Sequence, residues 1–527
     1  MQQAAVGNIE VIAIDMPIDA VVSFVGSFAA GNTLSPDDAP TLARLTADML
    51  DKGTQRNDRF AIAERLDTLG AEIHFDASAH SLDFSGKFLR QDAGAVMSLL
   101  AEQLREPAFK PEVLETLKRR QSANLLQAID HPDYRADAQI ARLLYPQGHP
   151  NYSPPIDVLL EDLKHTTIQD IQTFHTDYYG SQSMRLVFAG DIDFEQLTAA
   201  VESAFEGWAG GVDYPSDHVA ALDNQPQDKR IYITDKTSVA VRYAQNTGLQ
   251  RPDDDYIPFM VGNYILGGSF NSRLMQEVRK KQGLTYSIRS GHSGDLLTPG
   301  NWSLHASFSP TLLEQGLAAT EAVFNEWYEQ GTTADEVQKA VDTLSGSYLV
   351  RLSTTGSVAG QVHSFLQRGH PPEYIDQYPQ YLQAVAAEQV NTAIKTYLSP
   401  TQHARVIAGS LDQPVASTNS QTVNKQTLTV RLDTPTAGWA INIDKVYQTD
   451  SSLIVLSQLQ SNDEAAAAVI STVSDSVSIL APKKPLAVRH YIIGKTWNWG
   501  GATDYSFIQS PIDLGTLLDD AELIYEK

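Results

Sequence analysis

The chain has 527 residues, enough for about two to four domains, and its 42% hydrophobic and 20% charged residues give a globular composition with no signature of disorder. Asp and Glu outnumber Lys and Arg by 64 to 39, a net charge of −25 that excludes a nucleic-acid groove of clustered cations. The absence of cysteine excludes disulfides, thiolate zinc sites and a Cys nucleophile, and no apolar run reaches the roughly 18 residues of a membrane span. The start, MQQAAVGNIEV, lacks the basic-then-apolar layout of a signal peptide and reads as a mature terminus behind an added Met. With the missing thiols this points to a bacterial periplasm, the cytoplasm being the alternative.

In chain order, residues 21–31 (VVSFVGSFAAG) predict a strand. Residues 35–54 (SPDDAPTLARLTADMLDKGT) predict an amphipathic helix capped by Ser35 and Asp37, with Leu42, Leu45, Met49 and Leu50 on one side and Arg44, Ala47, Asp48 and Asp51 on the polar side. Arg44 and Asp48 stand four apart, the spacing of a helical ion pair worth only a few tenths of a kcal/mol. Further helices are expected at 60–69, 96–104, 112–129 and 170–179, two strands within 71–88 and a buried strand at 184–190. His149, in the loop LLYPQGHPNYSPP at 143–155, reads as a turn residue beside Pro150 rather than a functional group.

MRLVFAGD at 184–191 is echoed by ARVIAGS at 404–410, so the chain is read as two like domains, 1–209 and 230–418, joined by a Pro-containing linker at 210–229. Long helices among alternating strands make both domains α+β. In the second, strands are expected at 238–244 and 302–308 and helices at 312–330, 334–352 and 387–398. From residue 425 the texture changes to short strands at 427–432, 439–446, 453–459, 474–480 and 488–493, a small all-β sandwich-like domain over 425–527. Trp497 and Trp499 beside Gly500 and Gly501 read as interface packing or as a binding edge.

The stretch LGGSFNSRLMQEVRKKQGLTYSIRS at 266–290 carries the most information. Gly267 and Gly268 break an apolar run, and Ser269, Asn271 and Ser272 offer caps for a helix that Gly283 ends. Arg279 falls in its last turn and Tyr286 at the start of a strand, a geometry that can bring a guanidinium and a phenol to one opening to donate to one oxygen. The bland reading is a dipole-complementing Arg and a strand Tyr with its hydroxyl at the surface.

The pattern GG-x-F-x-SRL followed by VR-x-K-x-GL-x-Y closely resembles the signature of the C-terminal half of the pitrilysin, insulinase and mitochondrial processing peptidase superfamily, which binds zinc in its other half. The resemblance implies two homologous domains, each an antiparallel sheet backed by helices, facing each other across a chamber. It also implies that Arg279 and Tyr286 bind substrate backbone and stabilise the tetrahedral intermediate, with Gly267, Gly268, Ser269 and Phe270 contributing to substrate binding. In that family the first helix ends in His-x-x-Glu-His, two zinc ligands around a water-polarising Glu, before a tail similar to Met49-Leu50-Asp51-Lys52-Gly53-Thr54 here. The three positions hold Arg44, Ala47 and Asp48, and the third ligand, a Glu some seventy-five residues on, falls near Asn124.

An Arg cannot accept a metal and an Ala cannot activate water, so no zinc site of the family type and no other cofactor is expected in this chain. The reading that follows is a zinc-free subunit of a two-chain metallopeptidase, inactive alone, whose Arg279 and Tyr286 serve a zinc-bearing partner that cleaves extended peptides. The alternative is an inactive homodimeric pseudopeptidase that binds peptides or scaffolds a complex. No Gly-x-Ser-x-Gly elbow or other catalytic cluster supports an unassisted hydrolase.

Overall fold

The computed structural model describes residues 1–411, 425–436, 438–449, 452–461, 470–480, 486–497, 505–518 and 521–526. The chain divides into two compact units, residues 1–413 and 414–527, so the two like halves form one unit. Among the described residues no helix is long and apolar enough to cross a membrane.

The first half contains strands β1 (Gln2–Val6), β2 (Ile9–Asp15), β3 (Val21–Phe28), β4 (Glu72–Ala77), β5 (Leu82–Leu89) and β6 (Arg185–Gly190). Its helices are α1 (Leu42–Met49), α2 (Arg59–Leu69), α3 (Ala93–Arg105), α4 (Pro111–Ala128), α5 (Pro132–Leu144), α6 (Ile156–His165), α7 (Ile168–Tyr178) and α8 (Phe194–Phe205). The second half contains β7 (Gln227–Tyr232), β8 (Val239–Asn246), β9 (Thr285–Ser293), β10 (Asn301–Phe308) and β11 (Ala404–Gly409). Its helices are α9 (Tyr256–Asn263), α10 (Leu313–Gln330), α11 (Ala334–Arg351), α12 (Thr355–Gln367), α13 (Tyr374–Gln383) and α14 (Ala387–Tyr397), and residues 264–268 and 275–281 wind as π-helix.

The sheet orders are β1-β2-β6-β3-β5-β4 and β7-β11-β8-β10-β9. Without β1 their strand orders correspond one for one, and the sequence echo falls on the equivalent strands β6 and β11. Pairing is antiparallel except between β2 and β6 and between β7 and β11, one parallel pair in each sheet. The outer strands β4 and β9, each paired on one side only, are equivalent edges.

Strands such as RLVFAG and ARVIAG are apolar at every position but their arginine because both faces of their sheets are buried. Leu186 and Phe188 of β6 face the main core with Phe24, Phe88, Leu45 and Leu100. Val187 and Ala189, on the opposite face, meet Val358, Ala359, Val362 and Phe365 of α12, a helix from the second half. Reciprocally, Ala136, Ile140 and Leu144 of α5 cover Ala240, Ala244, Val406 and Ala408 of the second sheet. Polar bonds pin both exchanged helices: buried Arg242 of β8 pairs with Asp133 and Asp137 of α5, and His363 Nε2 of α12 meets Ser27 Oγ of β3 at 2.9 Å.

The exchanged helices were not expected from sequence, nor were α6, α8, α13, β1, β2 and β7. In α12 the segment TGSVAGQVHSFLQ carries two glycines and β-branched residues, a poor helix former in isolation that burial overrides.

The second unit contains β12 (Lys425–Thr434), β13 (Trp439–Gln448), β14 (Ser452–Ser461), β15 (Ser471–Leu480), β16 (Ala487–Ile493), β17 (Tyr505–Ile508) and β18 (Glu522–Glu526). A β12-β15 ribbon packs Leu428, Val430 and Leu432 against Ile441, Ile443, Leu453 and Val455 of the five-stranded sheet β17-β16-β14-β13-β18, a sandwich-like core. Trp497 lies edge-on to Trp439 with ring centroids 5.0 Å apart, whereas Trp499, Gly500 and Gly501 lie outside the described residues.

Phe365 is 4% exposed at the centre of the α12 exchange. Phe365→Ala is expected to destabilise the chain by about 3–5 kcal/mol, read as a lower urea midpoint by circular dichroism.

Candidate functional site

Helix α1 is held at its start by Asp162 of α6, whose Oδ2 accepts from Thr41 N at 2.7 Å and Thr41 Oγ1 at 2.6 Å. Ser35 Oγ accepts from Ala43 N, while Asp37, expected as a cap, has no such role. The polar side expected from sequence is corrected at one position: Ala47 is 1% exposed and belongs to the main core. Arg44 spans two carboxylates, Asp48 at 3.3 Å and Asp76 of the edge strand β4 at 2.7 Å. Asp48 also accepts from Gln121 Nε2 at 2.9 Å and lies 3.4 Å from Arg120, both on α4. The Asn124 side chain, exposed one turn further on, makes no hydrogen bond among the described residues.

These residues do not fit a zinc ion. Arg44 can only donate, Ala47 has no polar atom, Asp48 is engaged by three neighbours, and an amide at 124 is a poor replacement for a carboxylate. Among the described residues no group of three or more His, Cys, Asp or Glu is arranged to hold a metal.

Before the edge strand β9 of the second half, the expected α-helix after Ser272 winds instead as π-helix over Met275–Lys281, with Gln282 N donating to Glu277 O and Leu284 N to Val278 O. The wider turn places the Arg279 guanidinium between two rings, its Cζ 5.0 Å from the Tyr286 centroid and 5.3 Å from that of Phe270. Both rings are open to solvent, Tyr286 85% and Phe270 68% exposed. The Arg279 guanidinium makes no ion pair or hydrogen bond among the described residues, so cation–π contact is what orients it and its N–H groups stay free.

Gly267 is buried, and a Cβ there would lie 2.5 Å from Ser290 N, so close packing of the π-turn on β9 requires glycine. Gly268 and Phe270 are exposed and Ser269 is half-buried beside them. No hydrogen bond, ion pair or ring contact joins Arg279 or Tyr286 to Arg44, Ala47, Asp48 or Asn124 among the described residues.

Sequence reading missed Arg273, whose fork grips both Glu336 oxygens at 2.8 Å and Gly331 O at 2.9 Å, tying the π-helical segment to the capping box of α11. It also missed a histidine cluster. The rings of His80 and His218 stand 5.5 Å apart and edge-on, and His80 Nδ1 and His218 Nε2 are buried without a partner. His149 is a buried structural residue, its Nδ1 accepting from Asn151 N and its ring stacked on Tyr145 at 4.3 Å.

The fold and the paired motif places define a two-domain peptidase-like chain with an altered metal helix, and comparison with known proteins agrees. Residues 11–142 match the family model for insulinase (peptidase family M16) and residues 165–344 that for the peptidase M16 inactive domain. Together these span more than half of the chain, which belongs to the M16 peptidase family. The non-peptidase homolog YmxG of Helicobacter pylori is 23% identical over 381 residues, 70% of this chain and 85% of that protein. An uncharacterized zinc protease of Streptomyces coelicolor is 24% identical over 336 residues, covering 62% and 72%. The crystal structure of a peptidase M16 inactive domain from Pseudomonas fluorescens superposes with a TM-score of 0.72 at 24% identity, covering 77% of this chain and 97% of that one. The periplasmic protease PqqL of Escherichia coli superposes at 0.65 with 14% identity, over 76% of this chain and 44% of its own.

Burial, then the neighbouring His218 and His149, holds His80 down at about 4, and burial holds His149 at about 4 and His363 at about 3. These rings stay neutral in the folded chain while unfolded imidazoles take up protons below about pH 6.5. Stability is therefore expected to be flat above pH 7 and to fall as pH drops from 6.5 towards 4. His80 alone contributes at most about 1.4 kcal/mol per pH unit. Urea midpoints across that range check the sign, and His80→Gln should flatten the slope.

Proposed function

We propose that this chain is the metal-free subunit of a two-chain M16 peptidase and lends Arg279 and Tyr286 to a zinc-bearing partner with a His-x-x-Glu-His helix. The observation that carries this reading is a contrast between two places: at α1, Arg44 and Asp48 are locked in ion pairs, whereas the Arg279 guanidinium before β9 is oriented by two exposed rings and has no hydrogen bond or ion pair among the described residues. A guanidinium kept ready at the surface has no structural partner to serve. When water adds to a peptide carbonyl the oxygen becomes an anion, and preplaced donors stabilise it by about 3 kcal/mol each.

The substrate in this reading is an extended peptide lying along an open sheet edge, read through its backbone, with Gly268, Ser269 and Phe270 beside it. The edge β9 carries Tyr286 as its second residue and has one free side for such pairing. The same family's metal-bearing chains, represented by relatives named zinc proteases, are the kind of partner required. A periplasmic location is supported by the likeness to the periplasmic protease PqqL.

In a reconstituted pair, Arg279→Ala is expected to lower kcat about 10²- to 10³-fold while the two chains still associate. Undiminished cleavage by the variant pair would contradict the donor role.

The exposed rings of Phe270 and Tyr286 also favour a second reading, a homodimeric pseudopeptidase that grips peptides without cutting them. Light scattering on the purified chain separates the two: the first reading expects a monomer that dimerises only with its partner, the second a stable homodimer.

A further inference from the structure

A cavity of about 420 Å³ lies at the junction of the two halves, lined by Arg185 from the first and by Asp295, Leu296, Leu297, Leu366 and Arg368 from the second. Its mouth is at exposed Pro252 and Gly369. Two of the three arginines around it are matched: Arg185 pairs with Glu10, and Arg251, behind the wall, donates to Asp295 at 2.6 Å. Asp295 is 5% exposed and held far below the usual carboxylate range: against the raising effect of burial, the His292 ring, its Nδ1 3.6 Å away, and the charge and hydrogen bond of Arg251 lower it.

Arg368 is different. Its Nη1 donates to Ser364 O and Oγ at the end of α12, its Nε is buried with no partner, and among the described residues no carboxylate lies within ion-pair distance. Asp83, the other buried carboxylate nearby, is taken up by Ser81 and Gln367. In a chain of net charge −25, a half-buried guanidinium left without an anion is an uncompensated cost unless something supplies one.

We propose that this cavity is a binding site for a small monocarboxylate with an apolar body, its carboxylate taken by Arg368 and its hydrocarbon by Leu296, Leu297 and Leu366. One unmatched guanidinium balances one negative charge, and the fixed carboxylate of Asp295 on the same wall disfavours a dianion such as a phosphate monoester. The site is separate from the Arg279 and Tyr286 surface and does not rest on the peptidase reading. The carboxylate could be that of a free acid or of a peptide C-terminus.

Isothermal titration on the full chain tests it with 4-methylpentanoate, 4-methylpentanamide, inorganic phosphate, and the tripeptide Gly-Gly-Leu with and without C-terminal amidation. Saturable binding of 4-methylpentanoate or Gly-Gly-Leu at or below about 1 mM, at least about tenfold tighter than the matching amide, supports the proposal. Which of the two binds more tightly identifies the source. Arg368→Gln should weaken binding about 10- to 100-fold, as loss of a charge-assisted hydrogen bond does. Leu297→Glu keeps Arg368 and sets a carboxylate in the cavity, and it should block the ligand even if Arg368→Gln folds poorly. No saturable binding of either carboxylate, tighter binding of phosphate, or unchanged binding in both variants overturns it.

Discussion

The first unit depends on one constraint: each of its sheets is buried on both faces, and one face of each is covered by a helix from the other half. The chain meets this by exchange, α12 lying on β3 and β6 and α5 on β8 and β11. Burial of large side chains such as Phe365 and Leu144 on the foreign sheet makes the halves one cooperative body. The polar links that accompany the exchange, Arg242 to Asp133 and Asp137 and His363 to Ser27, add direction to what burial supplies in magnitude.

Within that frame the two halves carry contrasting electrostatics beside their edge strands. Beside the edge strand β4, Arg44, Asp48, Asp76 and Arg120 neutralise one another, and Ala47 is sealed in the core. Beside the edge strand β9, the Arg279 guanidinium has no ion-pair partner among the described residues and lies between two ring faces. A cation–π hold of about 0.5–1 kcal/mol at an exposed site is enough to orient a guanidinium without occupying its donors. An acidic neighbour would orient it more firmly and make it useless towards an incoming oxygen. The π-helical winding before it serves the same end by turning position 279 towards position 286.

Much of this was legible in the sequence where the signal is local. The doubly buried strands show as unbroken apolar runs, the echo between 184–191 and 404–410 marks equivalent strands, and the five β segments after residue 425 follow from alternation. The altered metal helix and the Arg279 and Tyr286 spacing were readable as well. What escaped depends on partners far along the chain. Which sheet a helix will cover is not written in its own periodicity, so α5 and α12 were missed. Ala47 looked polar-facing because its neighbours in the helical wheel are charged, yet only the folded chain reveals the core against it. The unmatched Arg368 is invisible until the positions of every carboxylate are known.

The central claim is that this chain kept the donors for a strained carbonyl oxygen and lost the ion that drives attack. Metal analysis of the purified chain, dialysed and then equilibrated with one equivalent of zinc, bears on it most directly when paired with a peptide-hydrolysis assay of the same sample. The account predicts that zinc is removed by a brief passage over a weak chelating resin and that the chain alone leaves peptides intact. A tightly retained equivalent of zinc together with hydrolysis that a strong chelator abolishes would contradict it.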